Sequence, residues 1–167
     1  EMLDQVMGPF DFEMASLLHA HLKEKGINLE LENGVAAITR HEEGLKVETT
    51  KGVDILCDLV ILSVGVKPEN KLAKEAGLQL GERGGIVVDG SMRTSNPDIF
   101  AVGDAVEVRN YVSGLPTVTA LAGPANKQGR IAADNALGRA SVFKGTQGTS
   151  VVKVFDMVAA STGLAEK

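Results

Sequence analysis

A second cysteine is missing from this 167-residue sequence. Cys57 stands alone, which excludes an internal disulfide framework and a Cys-x-x-Cys redox pair and suits a reducing, cytoplasmic compartment. Metal-ligand spacing is missing too, because His19, His21 and His41 form no ligand pattern with Cys57; no metal site is expected. No apolar run approaches the roughly 20 residues that a bilayer-spanning helix needs, so no membrane partner is expected either. The 17 Lys and Arg are scattered among 22 Asp and Glu, with a formal net charge of −5 and no basic block. Nucleic-acid binding is left without an electrostatic footprint. The sequence opens on Glu1 rather than Met, with no charged-then-apolar leader. It reads as a chain cut at both ends, without a signal peptide or a natural start.

What is present describes a globular protein: 44% hydrophobic and 23% charged residues, in a length that holds one ordinary core or two small or incomplete domains. Met14, Leu17, Leu18 and Leu22 recur at helical spacing after Asp11 and before Lys25-Gly26, which predicts a helix over 12–25. Short runs broken by turn residues follow, at 27–32, 35–41 and 45–50, and predict a small antiparallel meander. Asp58 to Val66 is continuously apolar up to Lys67-Pro68, the pattern of a buried parallel strand. A short helix is expected over 71–76, then strands at 86–89 and 99–102, and a helix over 125–137 with Pro124 at its start and Gly138 past its end. Val151 to Ala160 alternates weakly and reads as the first strand of a further domain. Composition shifts near Gly77, where a domain boundary is expected.

In open α/β sheets, ligands gather beyond the carboxyl ends of parallel strands, where helix N-termini direct partial positive charge at phosphates. Asp104 falls at such an end. Its carboxylate can accept hydrogen bonds from sugar-like hydroxyls, and Gly103 lets the backbone approach a pyrophosphate. On the dipeptide alone, an ordinary strand-ending turn is the better reading. The run Leu121 to Arg130 leads small residues into a helix whose free N–H groups suit an anion or an electron-rich ring edge; by itself it reads better as an Ala-rich packing helix. Glu1 and Gly65 gain meaning only together, as the acid that ends the second strand of a dinucleotide fold and the glycine that ends a later one. The glycine-rich phosphate turn expected about 20 residues before such an acid is not in the chain. Cys57 has no neighbouring His or Lys in sequence and reads as inert.

Taken in order, these segments resemble the flavin-dependent pyridine-nucleotide disulfide oxidoreductases, nearest the coenzyme A-disulfide reductase, persulfide reductase and NADH oxidase branch. Glu1 to Met7 with Asp11 to Ala15 resembles the passage out of the second strand of the NAD(P)-binding domain, and Asp58 to Pro68 its last strand. Thr94 to Asp104, Thr-Ser-Asn-Pro-Asp-Ile-Phe-Ala-Val-Gly-Asp, matches the second FAD motif, and Leu121 to Asn135 the flavin-side helix. The likeness covers essentially the whole chain.

The resemblance implies an α/β, partial FAD/NAD(P)-binding Rossmann-like (three-layer) fold with a small antiparallel β-meander. It divides into the later half of an NAD(P)-binding domain (1–77), the later half of an FAD-binding domain (78–149) and the start of an interface, dimerisation domain (150–167). It also implies FAD and NAD(P)H as cofactors, a homodimeric parent, and coenzyme A disulfide, persulfide or oxygen as small-molecule acceptor. The cofactor-binding residues carried over are Glu1 for the NAD(P)H adenosine ribose, Gly65 on the nicotinamide path and Thr94 at the head of the FAD motif. Gly103 comes beside the pyrophosphate, Asp104 on the ribityl hydroxyls, and Leu121 and Ala122 at the flavin pyrimidine edge. No catalytic residue is carried over, since the family's redox cysteine and both glycine loops would precede Glu1. The chain alone is expected to be inactive and to hold FAD poorly. The competing readings are a complete, non-catalytic nucleotide-binding or assembly module and a flavin-free enzyme using Asp104 as a base.

Overall fold

A computed structural model describes residues 1–166. The chain forms two compact units, one of Glu1–Val64 with Lys153–Val158 and the last residues, the other of Gly65–Val152 with Ala159–Leu164. The division follows Val64, ahead of the composition shift at Gly77. Among the described residues, no helix is long and apolar enough to cross a membrane.

The first unit opens with α1 (Phe12–Glu24). Asp11 is extended and starts it through its carbonyl, which accepts from Met14 and Ala15 N–H. Gly26, at φ +81°, ends it, with Ile27 N–H bonding back to the Leu22 carbonyl; only glycine takes this left-handed step cheaply. The face turned inward is Ala15, Leu18 and His21, while Met14 and Leu17 remain exposed. Lys25 Nζ and His21 Nε2 reach Asp156 Oδ1 at 2.9 and 3.1 Å, and the lysine hydrogen bond holds the exposed Asp156 carboxyl below its ordinary range.

The meander consists of β1 (Val35–His41), β2 (Gly44–Thr49) and β3 (Asp54–Cys57), antiparallel in that order. Its third strand lies after β2, and the expected strand at 27–32 does not form. Glu32 sits at φ +51°, which breaks an extended run, and the segment bonds instead through Glu32 N–H to the Leu3 carbonyl and Asn33 N–H to the Glu1 carbonyl. At the start of β2 the backbone passes close to the end of β3, because a Cβ at Gly44 would lie 2.7 Å from the Cys57 carbonyl oxygen.

Asp58 to Val66 is not a strand either. Ile61 is 80% and Val64 88% exposed. A parallel strand exists through hydrogen bonds to flanking strands, and no described segment pairs with this one. For the same reason Ile99 to Val102 forms only one bridge, Phe100 to Arg93, within a turn closed by Thr94 N–H on the Ile99 carbonyl. The C-terminal stretch corrects the expected single strand: it is a hairpin of β7 (Ser150–Val154) and β8 (Met157–Ser161), turning at Phe155 with φ +54°.

The second unit holds α2 (Lys71–Glu75), then β4 (Ile86–Val87), β5 (Val106–Arg109) and β6 (Pro116–Val118), in the order β4-β5-β6. β4 and β5 are parallel, β5 and β6 antiparallel. The buried centre is Met92, Val106 and Val108; Ile131 and Ala132 of α3 (Ala122–Ala136) pack on it. The chain is thus α/β with a small antiparallel meander.

Met92 is fully buried yet left-handed, at φ +68°, and Asp89 holds it so. Asp89 Oδ1 accepts from Ser91 Oγ at 2.7 Å, Ser91 N–H at 2.8 Å and Arg93 N–H at 2.9 Å. Partial burial pushes the Asp89 carboxyl up, but these bonds and the Arg93 charge outweigh it and set it below the ordinary 3.8. A depressed folded value stabilises above the unfolded pKa and is lost as pH falls through the folded one. Asp89→Ala is expected to cost about 1 kcal/mol at neutral pH and to flatten the loss of urea resistance below pH 3.8. Parallel acid profiles for variant and parent would remove Asp89 as the source.

Candidate flavin-binding site

In the second unit, β5 is preceded by a single 3₁₀ turn, Gly103–Ala105. Gly103 has φ +85°, and a Cβ there would meet nothing within 4 Å, so the position faces open space. It borders a cavity of about 780 Å³ walled by Val66 to Glu69, Arg83, Val102 to Ala105, Val118, Ala120 and Ala125, within the roughly 300–1,000 Å³ of small-molecule sites. Asp104 is exposed, and among the described residues its carboxylate has no hydrogen-bond or ion-pair partner. Lys67 and Arg83 share the lining with it.

Helix α3 begins at this cavity. Leu121 is its extended N-cap residue and provides no side-chain cap, and Pro124 brings no N–H. Among the described residues, the Ala122 and Gly123 N–H groups have no hydrogen-bond partner, so the partial positive charge of a 15-residue helix is uncapped. Gln128, 1% exposed, extends from α3 to the turn, and its Oε1 accepts the Gly103 N–H at 2.7 Å.

The structure brings Gly103 and Asp104 together with Ala120 and Ala125 at the start of α3; Leu121 and Ala122 lie between these two in sequence without lining the cavity. Gly65, at φ +87°, directly precedes the wall segment Val66 to Glu69 without lining the cavity. Thr94 is outside the wall; its Oγ1 accepts Asn96 N–H at 3.2 Å and its O–H donates to the Asn96 carbonyl, closing the turn before Phe100. Glu1 belongs to the first unit, where its Oε1 accepts Leu3 N–H at 3.0 Å. Cys57 ends β3, half-buried and without a disulfide partner. Gln128 lies within the run Leu121 to Arg130, and nothing in the sequence sets it apart from the other polar residues of α3, Asn126, Lys127, Arg130, Asp134 and Asn135.

The donor set suits a flavin dinucleotide. The carboxylate offers acceptors to a polyol, the bare glycine and the uncapped helix start offer room and N–H groups to phosphates or a ring edge, and Val66, Pro68, Val118 and Ala120 offer apolar wall.

A family profile described as pyridine nucleotide-disulphide oxidoreductase matches residues 1–132. The NAD(P)H coenzyme A polysulfide/persulfide reductase of Pyrococcus horikoshii is 38% identical over 157 residues, 94% of this chain and 35% of that protein. Among solved structures, the reduced Bacillus anthracis CoADR-RHD superposes with a TM-score of 0.93 at 48% identity, over 99% of this chain and 30% of its own. The NAD-dependent persulfide reductase from A. fulgidus gives a TM-score of 0.95 at 40% identity, over 99% and 31%. The chain spans about a third of the length of the proteins it matches.

With no atom near its Cβ position, Gly103→Ala tests backbone conformation alone. It is expected to lower stability by about 1–2 kcal/mol, the cost of a left-handed L-residue, read as a shift in the urea midpoint. An unchanged midpoint would show that Gly103 does not hold its positive φ.

Proposed function

The chain belongs to the pyridine nucleotide-disulphide oxidoreductase family, and on that premise we propose that it carries the flavin-gripping residues of an FAD- and NAD(P)H-dependent reductase. The acceptor of that reductase is a disulfide, persulfide or oxygen. The observation that carries this reading is the unpartnered Asp104 carboxylate facing the same cavity as the uncapped start of α3.

When bound, FAD supplies the two-electron relay between nicotinamide and acceptor. Asp104 would accept hydrogen bonds from the ribityl hydroxyls. Gly103 leaves room for the pyrophosphate, whose charge is answered by Lys67 and Arg83 on the wall. The Leu121 and Ala122 backbone and the helix end of α3 would serve the flavin pyrimidine edge, where a partial positive charge would stabilise electron density. Thr94 acts one step back, holding the turn before Phe100 that leads toward Gly103 and Asp104. On the nucleotide side, Glu1 would hold the adenosine ribose of NAD(P)H, where a carboxylate favours NADH weakly over NADPH. Gly65 keeps the nicotinamide path clear.

In this reading residues 1–77 serve NAD(P)H, 78–149 serve FAD, and 150–167 open a dimer interface in a cytoplasmic homodimer. None of the chain's residues is the redox nucleophile, in keeping with the unremarkable setting of Cys57. Titration of the chain with FAD, followed by flavin fluorescence, should show weak saturable quenching. Asp104→Ala is expected to weaken it about tenfold or more, the loss of charge-assisted hydrogen bonds. Glu42→Ala, an exposed acid of the first unit outside the wall, should change nothing. Equal affinity in Asp104→Ala and the parent chain would remove Asp104 from the site.

A further inference from the structure

We propose that Gln128 is the positioning residue of this site: its buried amide couples the Gly103–Asp104 turn to α3, so that the carboxylate and the helix N-terminus form one preset unit. The inference rests on the flavin reading above for what the unit binds, and on the structure for the coupling itself.

Gln128 is among the least exposed side chains of the chain, with Met92, Gln5 and Val106. A buried amide is costly unless it is bonded, and here its Oε1 takes the Gly103 N–H at 2.7 Å, the short end of the N–H···O range. The bond fixes the plane of the peptide that enters Gly103, and so the direction in which the next residue, Asp104, leaves the turn. It also withdraws the Gly103 N–H from the cavity. Ligand phosphates are left to the bare Cα position and to the helix end.

The second anchor lies two turns along α3. Asn135 Nδ2 donates to the Ile131 carbonyl at 2.8 Å, the Ser141 carbonyl at 2.7 Å and the Ser91 carbonyl at 3.3 Å. Residues seven apart share a helix face, so two amides pin α3 at two levels along one line. The small Ala132 side chain, which packs on the core beside Ile131, would let the helix slide or roll over the sheet. The paired amides allow one register, in which the first turn of α3 presents Ala125 to the cavity wall. A site whose donors and acceptor are already held loses less entropy on binding.

The test uses the ¹⁵N-labelled chain with FAD as probe. Gln128→Met keeps the length and removes the acceptor; Gln128→Glu keeps an acceptor; Ile131→Val loosens the packing of α3 without touching the turn. Gln128→Met is expected to move the Gly103 amide proton upfield and to weaken FAD about tenfold, and Gln128→Glu to restore most of both. Ile131→Val should lower the urea midpoint while leaving the Gly103 amide and FAD affinity in place. Saturable FAD binding that Gln128→Met leaves intact, or an unmoved Gly103 amide, overturns the positioning role alone. Failure of the unaltered chain to bind FAD saturably overturns the flavin reading, and the role with it. If Gln128→Met unfolds, Gln128→Glu decides: a folded Glu variant with parental affinity supports the role, and one with lost affinity overturns it.

Discussion

The hydrogen bond from Gly103 N–H to Gln128 Oε1 is the constraint on which the rest of the second unit's geometry depends. A positive-φ glycine is the most permissive residue in the chain, and by itself would let the turn ahead of β5 point in many directions. A buried amide is among the least permissive, since moving it costs a hydrogen bond with no water at hand to replace it. Joining the two converts a flexible turn into a fixed one. Asp104, Ala105 and the first residue of β5 then follow with little freedom, and Val106 enters the core at 1% exposure.

Around that bond the unit is held more by polar clamps than by apolar mass. The fully buried hydrophobic centre is small, built on Met92, Val106 and Val108. Three side chains organise the backbone around it: Asp89 closes the turn that drives Met92 inward, Asn135 ties α3 to two loops, and Gln128 ties it to the cavity. Each meets backbone groups that have no ladder partner, which is where a side-chain hydrogen bond stabilises most. A core of this size does not by its shape alone select one placement of an Ala-rich helix; the amides do.

Much of this was legible in the sequence where the cause is local. The periodicity after Asp11 and the Gly26 stop give α1, and Gly138 closes α3, because capping and helix spacing act within a few residues; α3 begins at Ala122, ahead of the start expected behind Pro124. The Thr94 to Asp104 motif marks the cavity edge. What could not be read depends on distant partners. The apolar content of Asp58 to Val66 and of Ile99 to Val102 states what those segments would bury beside other strands, and the strand itself exists only with those neighbours. The hairpin turn at Phe155-Asp156 lacks the usual glycine or asparagine signal, so two strands read as one. The inward face of α1 is Ala15, Leu18 and His21 because packing, not hydrophobicity rank, chose it. Gln128 was invisible for a sharper reason: its meaning lies in an acceptor placed against a backbone donor 25 residues away, which no local pattern encodes.

The same dependence on distant partners bears on the cavity. Val66 to Glu69 form part of its wall and continue directly from the apolar segment that ends at Gly65. The side chains of that segment, exposed up to 88% at Val64, gain hydrophobic stabilisation only when strands cover them. Covering them would also hold one end of the wall segment in place. The opposite side of the cavity needs no such help, since Gln128 and Asn135 already fix the turn and the start of α3. One wall is therefore preset by hydrogen bonds and the other is set by strand pairing. Ligand affinity should then divide between a part intrinsic to this chain, carried by Gly103, Asp104 and α3, and a part that grows with whatever orders Asp58 to Val66.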